Sequence, residues 1–137
     1  MLGKPRGGWT EIKMGDFIGY GSYLTDIPVD CLNACIFAFS NNSPLSFFID
    51  EEGSEFIVTS YYNGTYIIKR YEDSDEEEEL FSSTLNFKDL ATEILYDIEK
   101  YYEDWIKWLP YNEEYGSLSR KEVILSKVNQ LKDLLNK

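Results

Sequence analysis

The side chains that could do chemistry in this chain of 137 residues are carboxylates and two thiols, because it contains no histidine. Without imidazole the commonest general base and metal ligand are missing, and neither a Ser–His–Asp nor a Cys–His arrangement can be assembled. Paired carboxylates remain a chemical route, as in glycoside hydrolysis. Asp16, Asp26 and Asp30 are the acids that stand apart from charge runs. Asp26 has another use, as the cap of a helix beginning just after it, and Asp30 falls in that helix's first turn. Cys31 and Cys35 lie in an apolar run at a spacing that stacks them on one helix face. Two thiolates do not complete a zinc site, and the pair reads as small buried hydrophobes kept reduced. Gly19 and Gly21 form a G-x-G pair that is too short for a dinucleotide-binding turn. The block 72–79 carries seven carboxylates in eight positions but lacks the glycine and spaced oxygen ligands of an EF-hand. No catalytic residue, cofactor or metal is assigned, and the chain reads as a binding protein rather than an enzyme.

The formal net charge of −12 is unevenly placed. Residues 1–49 sum to −1, residues 50–104 to −13 and residues 105–137 to +2. Direct nucleic-acid binding is disfavoured, since it rests on Lys and Arg neutralising phosphates, and acidic membranes are disfavoured for the same reason. A basic protein is the favoured partner, because complementary potentials speed association and select against wrong partners. The N-terminal residues have no apolar run after their positive charges, and no stretch approaches the ~18 apolar residues of a membrane helix. Cytoplasm is the expected location.

The elements that must position these groups follow from periodicity and punctuation. Residues 9–23, rich in glycine and aromatics, read as one or two short strands with bends. Pro28 starts a helix over 28–39 with Leu32, Cys35, Ile36 and Phe39 as its apolar stripe. Strands follow at 45–50, 55–62 and 65–71. The Asn63-Gly64 pair between the last two predicts a tight hairpin with Tyr62 opposite Thr65, Tyr61 opposite Tyr66 and Thr59 opposite Ile68. One sheet face then collects Ile57, Thr59, Tyr61, Tyr66 and Ile68. The acidic block predicts a solvated, mobile loop over 72–83. Asn86 caps a long amphipathic helix running to Pro110, with Asp89, Glu93, Asp97, Glu103 and Asp104 outside. A loop at 111–116 and a capping box from Ser119 to Glu122 lead into a final helix. The expected fold is a single α+β domain over 1–137, an antiparallel β-meander of three or more strands packed against two or three helices.

The run Gly8-Trp9-Thr10-Glu11-Ile12, then Gly15-Asp16-Phe17, Gly21-Ser22 and Asp26-Ile27-Pro28, resembles the immunity proteins of bacterial polymorphic toxin and contact-dependent growth inhibition systems. It covers roughly the first fifth of the chain, and the remainder is similar in size and acidity. The resemblance implies a small α+β protein that binds the C-terminal toxin domain of a secreted effector, a basic nuclease, and blocks it stoichiometrically. It assigns no individual residue. From the residues themselves, a tight interface needs aromatic anchors within a charged surround. Tyr61, Tyr62 and Tyr66 are the expected anchors. Glu76, Glu77 and Glu78 of the block, with Glu93, Asp97, Glu103 and Asp104 of the helix, are the expected charged face. The rival readings are an acidic nucleic-acid mimic directed against a DNA-binding or nuclease complex, and a non-catalytic adaptor subunit. Exposed tyrosines beside an open sheet edge are also compatible with a homodimer.

Overall fold

Period-two alternation organises the middle of the chain into sheet. Strand β3 (Leu45–Asp50) buries Leu45, Phe47 and Ile49 while Ser46 and Phe48 stay exposed. Strand β4 (Ser54–Tyr61) buries Phe56, Val58 and Ser60 in the same sense, and β5 (Gly64–Tyr71) adds Thr65 and Ile67. With β6 (Glu77–Ser83) they form an antiparallel sheet in sequence order. The computed structural model describes residues 1–108, 110 and 119–137. Among these, β1 (Trp9–Met14) and β2 (Phe17–Ser22) form a separate antiparallel hairpin, and four helices complete an α+β fold. The helices are α1 (Ile27–Asn41), α2 (Phe87–Lys100), α3 (Tyr102–Lys107) and α4 (Arg120–Leu135). The loop expected at 111–116 lies outside the described residues.

All of this cover lies on one side of the four-stranded sheet. Helix α1 packs on β3 and against α4, while α2 packs on β4. Their buried residues, including Leu32, Leu90, Ile94 and Ile124, join Phe56, Val58 and Ile67 in one core. The β1–β2 hairpin covers the rest of that side. It approaches closely because a Cβ at Gly21 would lie 2.6 Å from Ile27 and 2.8 Å from Ile49, and one at Gly19 would lie 2.9 Å from Phe56. The glycine pair is therefore a packing surface, and Phe17 sets its ring edge-on to Phe56 at 5.2 Å.

Four local expectations change. Residues 77–83 are strand β6, not part of a mobile loop. Their mutual repulsion is relieved in the ladder: Arg70 donates to Glu77 at 2.9 Å, and the Tyr71 hydroxyl donates to Glu78 at 2.9 Å. That bond raises the Tyr71 pKa. Leu80 and Phe81 hold the strand down by packing against the core. Residues 72–76 remain an exposed turn.

The hairpin register also differs. Tyr61 pairs with Gly64, Ser60 with Thr65 and Thr59 with Tyr66, leaving Tyr62 and Asn63 in the turn. Neither Asn63 nor Gly64 takes a positive φ. Gly64 is needed instead for close approach, since a Cβ there would sit 2.7 Å from the Ser83 carbonyl oxygen. The slip is two residues, so each side chain that stays in a strand keeps the face expected of it, and Tyr62 alone moves from the ladder into the turn.

The long helix, expected to run to Pro110, breaks at Tyr101, whose φ of −108° and ψ of 30° separate α2 from α3. The break leaves Trp105 fully buried with Trp108 beside it at 5.2 Å. The helix starts at Asn86 and Ser119 are as expected, each side chain accepting a backbone N–H three residues on, from Asp89 at 2.9 Å and from Glu122 at 3.2 Å.

Asp26 occupies the N-cap position of α1 without a side-chain capping bond. Its carboxylate instead meets Arg120 at 2.6 Å, both side chains being buried, and Arg120 Nε donates to the Trp105 carbonyl at 2.9 Å. This pair ties the start of α1 to the start of α4. Removing one partner of a buried ion pair leaves the other charge desolvated and costs about 3–5 kcal/mol, whereas replacing both with apolar groups is often neutral. Asp26→Ala should therefore lose about that much stability in chemical denaturation, and Asp26→Leu with Arg120→Met should be more stable than Asp26→Ala.

Cys31 and Cys35 are both buried on α1. Burial pushes both thiols up, Cys35 to about 12, with Cys35 and then Asp30 adding to the rise at Cys31. Since only the thiolate attacks, native protein at pH 8 should react with iodoacetamide far more slowly than a free cysteine, and denaturant should restore labelling of both. Rapid native labelling would contradict this packing.

Candidate partner-binding surface

The side of the sheet opposite the helices displays side chains in rows set by the ladder registers. Across the strands, Phe48, Ile57, Ile68 and Glu79 share one row. Ser46, Thr59, Tyr66 and Ser82 share the next, and Tyr61 lies beyond them at the hairpin end. The row at the opposite end is Asp50, Glu55, Arg70 and Glu77. A covered face would bury these aromatics, but Phe48 is 49% exposed, Tyr61 43% and Tyr66 41%. Tyr66 and Tyr61 meet edge to face at 5.9 Å, which stiffens both rings. The Ser46 and Thr59 hydroxyls lie 3.3 Å apart beside them.

The charged end is ordered by its one cation. Arg70 lies 2.9 Å from Glu77 and 3.7 Å from Glu55, so it neutralises part of the row. Glu79 and the turn acids Glu72, Asp73, Asp75 and Glu76 remain exposed around it. The surface is therefore graded, from carboxylates at the 72–76 turn, through Phe48, Ile57 and Ile68, to tyrosines at the hairpin end.

The expected anchors and carboxylates are only partly brought together. Tyr61, Tyr66 and Glu77 share this face. Tyr62 stands at the hairpin tip, 87% exposed. Glu78 turns to the other face of β6, and Glu76 is in the turn before it. Glu93, Asp97, Glu103 and Asp104 lie on α2 and α3, in the helical layer behind the sheet, and do not join the tyrosines. Asp97 is also taken: the Met1 amino group lies 2.6 Å from it and the Leu2 N–H donates to it at 3.0 Å. Glu93 is 3.8 Å from the same amino group but half exposed.

Phe48, Asp50, Glu55 and Glu79 are the contributors that sequence reasoning left out. Alternation in β3 marks Phe48 as facing away from Phe47, but its neighbours depend on the β3–β4 register, for which the sequence offers no Asn-Gly-type signal. Glu79 joins through the irregularity between Ile67 and Ile68, which leaves Leu80 as an extra residue.

At the hairpin end the face runs into a cleft of about 750 Å³. Phe39 and Phe87, their rings 5.0 Å apart, line it together with Pro44, Tyr61 and Tyr62. The acids considered for catalysis do not converge on any such space. Asp16 lies in the β1–β2 turn, Asp26 is buried against Arg120, and Asp30 is in the first turn of α1. Among the described residues no group of three or more Cys, Asp or Glu side chains is placed to hold a metal ion. No helix among them is long and apolar enough to cross a membrane. Comparison with family models, with curated proteins and with solved structures finds no match to the chain.

Proposed function

We propose that this chain is a cytoplasmic, toxin-neutralising immunity protein that binds a basic nuclease toxin domain, at the C-terminal end of a secreted effector, and blocks it stoichiometrically. The observation that carries the reading is the uncovered sheet face, with aromatics in its middle and carboxylates at one end. Rigid aromatic side chains give contact area at low entropic cost and dominate tight interfaces when the partner excludes water from them. Carboxylates at the edge contribute little affinity each but accelerate encounter with a cationic partner. The resemblance of residues 8–28 to immunity proteins supplies the partner class. The formal charge of −12 makes a basic domain the electrostatically favoured one.

The face divides the labour in a way that kinetics can read. Glu76→Lys with Glu79→Lys should slow association with the toxin domain by about ten-fold at low salt and flatten its salt dependence, leaving dissociation nearly unchanged. Tyr66→Ala should speed dissociation by roughly 10- to 100-fold with little effect on association. The decisive experiment is to identify a large secreted protein encoded next to this chain and co-express its C-terminal domain with it. Relief of toxicity by the wild type and its loss in a Tyr61→Ala, Tyr66→Ala double variant supports the proposal. Undiminished toxicity with the wild type, or an association rate insensitive to salt, sinks it. A chain that sediments as a dimer with Tyr66 protected would assign the face to self-association instead.

A further inference from the structure

We infer that the outer edge of β3 takes an extended segment of the protein partner, which joins the sheet as a fifth strand and sets a cation beside Asp50. The inference rests on the preceding reading only for who supplies that segment. Among the described residues β3 is one end of the four-stranded sheet and β6 is the other. The two ends differ in chemistry. Strand β6 carries Glu77, Glu78 and Glu79 along its edge, whereas β3 is uncharged from Leu45 to Ile49 and ends in Asp50. Charges on an edge discourage strand addition, and most of β3 is without that protection.

The turn leading out of β3 shows which backbone groups are presented. The Glu51 N–H donates to the Ser54 carbonyl at 2.9 Å, so these two residues form a hydrogen-bonded pair. Bonded pairs alternate along an antiparallel ladder, and the next are Ile49 with Phe56, Phe47 with Val58 and Leu45 with Ser60. The N–H and C=O groups of Ser46, Phe48 and Asp50 are therefore aimed away from β4. Such a row of donors and acceptors matches an extended backbone, which can pair with it group for group. A helix, whose own groups are bonded internally, cannot.

The side chains around this edge fit one more strand. Ala34 and Phe37 of α1 line a groove of about 570 Å³ together with Ser46, Phe47 and Phe48 of β3. Phe37 is 61% exposed, and Phe48 stands open on the other side of the sheet. A strand laid along the groove sends alternate side chains to its two faces, half of them toward Phe37 and half beside Phe48. It also lengthens the row of Phe48, Ile57 and Ile68 on the open face. Charge decides whose strand it is. Asp30 lines the groove, and Asp50 with the exposed Glu52 marks its end. At a net charge of −12 a second copy of this chain is opposed, while a lysine or arginine across from Asp50 gains a cross-strand partner.

The test needs no toxin. The ¹⁵N-labelled full chain is titrated with the capped peptide acetyl-Lys-Val-Thr-Val-Thr-Lys-amide and, in parallel, with the version in which Glu replaces both Lys. Saturable shifts centred on the amides of Ser46, Phe48, Asp50 and Phe37 are expected, with a dissociation constant on the order of 1 mM for the lysine peptide. The glutamate peptide should bind at least about ten-fold more weakly. Ser46→Pro removes an outward N–H at a position where edge strands tolerate proline, and should abolish binding, whereas Ser46→Ala should bind as the wild type does. The lysine peptide N-methylated at each central residue tests the same backbone bonds without altering the protein, and should not bind. Absence of saturable shifts, equal binding of the two charge versions, binding of the methylated peptide, or wild-type binding by a folded Ser46→Pro variant overturns the inference. Dimerisation that Ser46→Pro abolishes would give the edge to a second copy and overturn it equally. Toxin neutralisation by a chain whose edge binds no peptide would refute only this proposal, and peptide binding without neutralisation would refute only the preceding one.

Discussion

The Thr65 hydroxyl is the hinge of the architecture. It donates to the Leu85 carbonyl at 2.6 Å, and the Ser60 hydroxyl lies 2.6 Å from it, so Ser60 must supply the proton of the second bond. All three partners are at or beneath the sheet surface, where an unpaired hydroxyl would cost about 1–3 kcal/mol. This short relay joins β4 to β5 in one register and joins β5 to the segment entering α2. It places Thr59 opposite Tyr66 and brings Gly64 under the Ser83 carbonyl, which aligns β6 in turn. A shift of the hairpin to an Asn-Gly turn, also two residues long, would break the relay while leaving the apolar faces intact. Polar satisfaction, rather than turn preference, decides the pairing.

That competition explains which parts of the fold were legible in the sequence. Alternation identified β3, β4 and β5, and which side of the hairpin each residue faces, because those depend only on parity. The helix starts at Asn86 and Ser119 were legible because the capping chemistry is local. The register was not, since a buried Ser–Thr pair has no signature until the third strand and the Leu85 carbonyl are placed. Strand β6 was hidden by its composition. Glu77, Glu78 and Glu79 read as a solvated loop, and they become an ordered edge through Arg70 and Tyr71 across the strand and through Leu80 and Phe81 packed on the core. Asp26 was misread for a related reason: its partner, Arg120, is 94 positions away, and spacing along the chain cannot reveal such a pair.

Of the expected binding residues, Tyr61 and Tyr66 share the open sheet face, as the alternation implied, and the helix carboxylates stand apart from them. Amphipathicity turned Glu93 toward water, but Asp97 on the same stripe is covered by the N-terminal residues bonded to it, and neither faces the same way as Tyr61. Helix α2 lies behind the sheet, so its outer side and the open sheet face look in different directions. Proximity in the chain between the acidic block and α2 suggested one continuous negative flank. The fold divides it, leaving β6 and its turn beside the aromatics and the helix elsewhere.

An open sheet face with several exposed aromatics is ordinarily a route to aggregation, and an edge strand adds another. The charge of this chain bears on both. Glu77, Glu78 and Glu79 occupy the free edge at β6, where a second copy would place like charges opposite one another. The overall −12 keeps copies apart at longer range, within the few Debye lengths over which it acts. The field that opposes the approach of a second acidic copy favours a cationic surface instead, so the acidity and the uncovered aromatics act together on what this face can admit.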